Sequence, residues 1–202
     1  MAITDAGENK AWELLAASDP AGVCARAGVD FDPGDGTYRV SSFGRDFIVN
    51  PAGRLILNRE PDGEIFLKRY SYFFRLSLLW YLVKAAPACP SGNLVKPAGL
   101  PGGEIFFKGS HVLPLDALAT KYATSPEAFR AAGEALGGRK VAYGDTAVEL
   151  SPLPKVPTTV ILWTEDDEFP ARADLLFDAT APQHLPLDIL WSVAMLSLLP
   201  LL

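Results

Sequence analysis

Histidine and cysteine are scarce in this chain, at two of each in 202 residues. Cys24 and Cys89 cannot build a disulfide framework or an all-cysteine zinc or iron–sulfur centre. His111 and His184 leave little material for a multi-histidine metal centre or a hydrolase triad. The phosphate-binding glycine loop, the dinucleotide-binding glycine fingerprint, the helical zinc-protease motif and the nucleophile elbow are all missing. There is no Lys/Arg run, and the net charge is −6, so no basic face is prepared for nucleic acid or anionic lipid. No transmembrane segment is expected either: the charge-free run from Ile189 to Leu202 has 14 residues and contains Pro200, whereas a spanning helix needs about 20. Such a helix, apolar all round, belongs inside a domain. The opening MAITDAGENK lacks the charged-then-apolar order of a signal peptide, which makes the cytoplasm the expected location.

What is present is ordinary globular material, 49% hydrophobic and 21% charged, enough for a core without staples. The expectation is a single domain over 1–202, with 1–99 and 100–202 as candidate sub-halves. The 17 glycines and 17 prolines punctuate many turns. A helix is predicted over Glu8–Ala17, ending before Pro20. Period-two patterning then marks three short strands, TYRVSSF, FIVN and RLILN. A two-residue turn with Gly44 first is expected between the first two of them, and a type I turn at Asn50–Gly53 between the last two. Tyr70–Ala86 reads as an aromatic-rich core helix. GEIFFK (103–108) reads as a strand, and helices are expected at 114–122 and 125–136, the second closed by Gly137-Gly138. Strand candidates follow at 140–143, 146–150, 158–163 and 171–177, separated by Gly144-Asp145, by Pro152, Pro154 and Pro157, and by Glu165–Glu168. A last helix starts near Pro186. Strands joined by tight turns, without crossover helices, give an α+β fold: antiparallel β-meanders packed against the core helix and an apolar C-terminal helix. Leu79, Trp80, Leu82, Leu190, Trp191, Val193 and Leu196 are expected to be buried.

Two short echoes recur, PDGEIFLK with PGGEIFFK and LPLDAL with LPLDIL. Their spacings disagree, so they are local grammar and not a repeat: the LPLD proline suits a first helical position, and its aspartate faces the positive end of the helix. Each histidine precedes one LPLD start. A helix N-terminus favours neutral imidazole, fit for a ligand or base. His111 and His184 therefore read either as a pair lining one pocket or, the favoured account, as ordinary histidines at exposed helix starts. Ser110 and His111, neighbours on an expected strand, would face opposite ways and make a poor nucleophile–base pair. The acidic run 165–168 is expected to be exposed and without a metal, and the aspartate-rich loop 30–36 lacks the glycine and distal glutamate of a calcium loop. Cys89-Pro90 is too short a motif to carry a haem reading. The most site-like local arrangement is Asp178 at a strand end, with five residues between it and His184. With Tyr81 from the core helix, the two are expected to share one pocket, where backbone N–H groups would suit an anionic or carbonyl-bearing ligand.

Several stretches, taken in order, resemble the family of the domain of unknown function thirty-seven eighty-six, of anaerobic bacteria and archaea. They are DPAGVCARAGVDFD (19–32), SSFGRDFIV (41–49), LLWYLVKAAPACPSG (78–92), LPGGEIFF (100–107), the run from Glu134 to Asp178, and HLPLDIL (184–190). The elements DEFPA and LFD are the most specific. The resemblance implies a link to anaerobic one-carbon or tetrapyrrole metabolism, since that domain can sit beside a corrinoid-type iron–sulfur module, which this chain lacks. Two departures stand out: Trp80-Tyr81 where the family shows a histidine before the tyrosine, and Lys96–Gly99 where it shows an aromatic-arginine-acid run. The function expected is a non-catalytic binding or accessory module, for a small hydrophobic or tetrapyrrole-like ligand or for a protein partner. The alternative is an enzyme using an Asp/His pair between a strand end and the last helix. The candidate ligand-binding residues are His184, Asp178, Tyr81 and His111. No metal ligand set is proposed, and no cofactor is specified.

Overall fold

The computed structural model describes residues 3–107 and 109–202. Helix α1 (Ile3–Ala16) is followed by α2 (Pro20–Ala27), which the sequence reading passed over. Its signals were nevertheless present: Asp19 accepts a hydrogen bond from the Gly22 N–H, Pro20 takes the first turn, and Gly28 closes the helix at φ 66. Four strands then form an antiparallel meander in the order β1 (Asp30–Asp32), β2 (Thr37–Ser42), β3 (Arg45–Asn50) and β4 (Leu55–Asn58). Alternation in β2 puts Tyr38, Val40 and Ser42 inward. The β2–β3 turn corrects the expected one. Its central residues are Phe43 and Gly44, both left-handed (φ 51 and 72), as a turn of the I′ kind demands. Phe43 is held in that strained conformation by burial against Phe66, 4.8 Å ring to ring, and by its N–H donating to Ser151 O at 2.8 Å.

Short α3 (Glu64–Lys68) leads into α4 (Ser71–Lys84), the predicted aromatic helix. After β5 (Leu94–Val95) the chain makes 3₁₀ turns over Gly103–Phe107 and Gly109–His111, so the predicted GEIFFK strand is a correction. Its last residue, Lys108, lies outside the described residues. The turns around Gly102 and Gly109, both left-handed, break the two-residue period that an extended run needs. Helices α5 (Leu115–Tyr122) and α6 (Pro126–Ala135) stand where expected. They precede β6 (Arg139–Val141), β7 (Thr146–Leu153), β8 (Val156–Trp163) and β9 (Arg172–Asp178). The second sheet is antiparallel with order β5-β9-β8-β7-β6. Pro152 and Pro157, read as separators, lie inside β7 and β8, where the register shifts between Leu150 and Leu153. The chain ends in α7 (Ala181–His184) and α8 (Leu187–Leu198).

The class is therefore α+β with two antiparallel sheets and an aromatic core. Helix α8 runs antiparallel along α4: Tyr70 Oη donates to Leu199 O, Phe73 meets Trp191 ring to ring at 5.5 Å, and Tyr81 lies 6.4 Å from the His184 ring. Its other side packs on β7 and β8, which explains why nearly every position of α8 is apolar. The two serines it buries are satisfied: Ser197 Oγ donates to Val193 O and meets Thr158 Oγ1 at 2.9 Å, and Ser192 Oγ donates to Asp188 O. No described helix is long and apolar enough to cross a membrane. Leu79, Leu82, Leu190, Val193 and Leu196 are buried, but Trp80 and Trp191, expected in the core, are only partly so. Because Leu190 is wholly buried in the core, Leu190→Ala is expected to cost about 2–5 kcal/mol. Urea denaturation of the two proteins measures this, and an unchanged midpoint would contradict the packing.

Candidate functional site

Asp178 ends β9 with its carboxylate buried. Oδ1 accepts from the Ser91 N–H (3.0 Å), the Thr180 N–H (2.9 Å) and Thr180 Oγ1 (2.7 Å), and Oδ2 accepts from the Gly92 N–H (2.7 Å). Ser91 Oγ bridges both oxygens. Burial alone would raise its pKa, but the Thr180 hydroxyl and the backbone N–H groups of Thr180, Ser91 and Gly92 outweigh it and bring it from 3.8 to about 2. This carboxylate staples the 86–92 connection to the end of the sheet.

His184 is wholly buried in α7, not at an exposed helix start. Its Nδ1 accepts from the Ala86 N–H at 3.3 Å, which places the proton on Nε2, and Nε2 has no hydrogen-bond partner among the described residues. Burial lowers its pKa below 6.5, Lys155 pushes the same way, and Asp178 opposes them. The Tyr81 phenol, also buried, donates to Ala27 O at 2.6 Å, and burial pushes its pKa up. Lys155 donates to Arg26 O (2.7 Å) and to Ala86 O and Pro87 O (3.4 Å each), at the ends of α2 and α4 where helix carbonyls lack partners. The structure thus brings Tyr81 and His184 together, with Asp178 near enough to act on His184 through its charge. No hydrogen bond joins Asp178 to His184 among the described residues.

His111 is elsewhere. It closes a 3₁₀ turn whose carbonyl accepts from Trp191 Nε1 at 2.8 Å, and its ring stands 4.9 Å from the Trp191 ring. Because the segment is not a strand, the opposed-face argument for Ser110 and His111 does not apply, and the Ser110 side chain lies outside the described residues. His111 lines a groove of about 700 Å³ over α4, walled by Gly7, Lys10 and Leu14 of α1 and by Asp188, Ile189, Trp191 and Ser192 of α8. The floor is Tyr72, Leu76, Trp80 and Lys84, one stripe at four-residue spacing. His184 does not line it, and Asp178 borders a different concavity, on the second sheet. Sequence reasoning named Trp80 and Trp191 as core; their place on the floor and wall of the groove depends on which helix face stays uncovered. The acidic run 165–168 is exposed, with Asp166 capping its own turn through the Glu168 and Phe169 N–H groups.

Acid should weaken the fold in two stages. Below the ordinary histidine value of 6.5, the unfolded chain takes a proton that buried His184 refuses, so stability declines as pH falls, and His184→Gln should flatten this limb. The Asp178 contribution is complete above its ordinary 3.8 and is lost as pH falls through its folded value of about 2. It amounts to something on the order of 2 kcal/mol, and Asp178→Asn should remove that second limb. Urea midpoints taken across the pH range test both, and a variant that keeps the parental profile refutes the corresponding assignment.

No curated protein and no solved structure matches the chain. A family model described as Domain of unknown function (DUF3786) matches residues 19–198, most of its length, and the chain belongs to that family.

Proposed function

We propose that the protein is a non-catalytic binding module that takes a small apolar, ring-bearing ligand, a tetrapyrrole-like plane included, in the groove over α4. The observation that carries this reading is Trp80. It is a tryptophan only partly buried, flanked by the buried Leu79 and Tyr81 of α4, with Trp191 and His111 also lining the groove. Aromatic side chains lining a concavity with a few polar groups are the common composition of small-molecule sites, and about 700 Å³ is within their usual range. The Asp178 oxygens are engaged by loop N–H groups and His184 is sealed in the core, so the geometry supports binding over acid–base chemistry at that pair.

The test uses phenylnaphthylamine, a neutral ring probe whose emission rises on entering an apolar site. It should bind the wild-type protein and quench tryptophan emission. Trp80→Ala should weaken binding about tenfold, a loss of about 1.4 kcal/mol, with the circular dichroism spectrum retained. Absence of probe binding, or equal binding by a folded Trp80→Ala variant, would overturn the reading.

A further inference from the structure

The groove does not end at Tyr72. That residue and Leu76 also line a second cavity, of about 410 Å³, around the start of α4. Its character is opposite. Lys68, Arg69 and Arg75 bring three positive charges to it, against the carboxylates of Glu8, which lines it, and of Glu64, which pairs with Lys68, in a protein of net charge −6. Glu8 is engaged by Arg75 and by Trp12 Nε1. Lys68 and Arg69 are exposed, Lys68 in a solvated pair with Glu64 and Arg69 over the Tyr70 ring at 5.4 Å. The first turn of α4 carries no acidic residue, and its N-cap offers no side-chain hydrogen bond, so its positive end adds to the same field.

Resting on the binding reading above, we propose that the ligand is amphipathic: an apolar ring body lies along Leu76 and Trp80, and an anionic group enters the basic cavity beside Tyr72, where Arg69 and Lys68 hold it. A trough whose floor at Leu76 and Trp80 is apolar, with Lys10, Lys84 and Asp188 at its margins, opens onto a cationic cavity and suits that arrangement of charge, and a neutral ligand would leave the second cavity unused. Arginine suits the head group because its planar fork pairs with two oxygens of a carboxylate, phosphate or sulfonate at once.

Two probes with the same rings decide it, anilinonaphthalene sulfonate, which is anionic, and neutral phenylnaphthylamine. The sulfonate should bind about tenfold more tightly, and the advantage should shrink as salt is raised. The double variant Lys68→Gln/Arg69→Gln changes two exposed side chains outside the core; it should remove the advantage and leave the neutral probe's affinity as it was. Equal affinities for the two probes, or a sulfonate advantage that survives in the double variant, would overturn the anionic head while the groove reading stands. Failure of both probes to bind the wild-type protein would instead remove the groove reading, and this inference with it.

Discussion

The burial of α4 on every side but one is the constraint on which the rest of the structure depends. A helix with the sequence SYFFRLSLLWYLVK has no polar face to give to water, so its neighbours must supply cover. α8 approaches through Trp191 against Phe73, α1 through Glu8 against Arg75, and the first sheet contributes Phe47 against Phe74. Even the strained Phe43 turn belongs to this packing, because its ring stacks on Phe66, which in turn meets Phe74. The left-handed backbone at Phe43 persists because the sheet-to-sheet hydrogen bond and the aromatic stack fix it from both sides.

The charged and polar groups that most resembled a catalytic set serve the chain that leaves α4. Segment 86–92 hangs between opposite charges: Lys155 takes the carbonyls of Ala86 and Pro87, and Asp178 takes the N–H groups of Ser91 and Gly92. His184 completes the arrangement by accepting the Ala86 N–H. An irregular segment beside the core exposes backbone groups that helix or sheet would have paired, and each one left unpaired costs about 1–3 kcal/mol. A buried carboxylate with its hydrogen bonds filled solves several of these at once, and its lowered pKa is the electrostatic record of that service.

Much of this was legible because periodicity survives folding. The two meanders, α4, α5, α6 and α8 follow from patterns of two and of three to four residues. The failures have separate physical causes. GEIFFK carries strand-forming residues, but the glycines flanking it turn the chain too tightly for a ladder. Pro152 and Pro157 look like breakers, yet an irregular register absorbs them within the sheet. A strand end followed by a helix start is the reason to expect Asp178 near His184; it says nothing of Tyr81, which comes from α4. Lys155 could not, because its partners on Arg26, Ala86 and Pro87 are distant in sequence and are backbone carbonyls, which leave no mark in a side-chain pattern.

The groove was illegible for a different reason. Tyr72, Leu76, Trp80 and Lys84 form the stripe that a helix presents to a core, and nothing in those four residues says that no further helix covers it. What distinguishes a floor from a core is a missing neighbour, a property of the whole topology. The fold settles it: residues of α1 and α8 stand on either side of that stripe and leave a groove between them, and His111, at the same groove, is tied to the α8 wall by the hydrogen bond from Trp191 to its carbonyl. Trp191 is thereby held by its own N–H, so its ring offers a fixed wall, while Trp80, without a side-chain hydrogen bond among the described residues, lines the same groove. A fixed wall beside a partly buried tryptophan on one concavity would lower the ordering cost of the flat ligand proposed for it, which favours the uncovered side of α4 over the buried polar knot at its end as the place for the proposed binding.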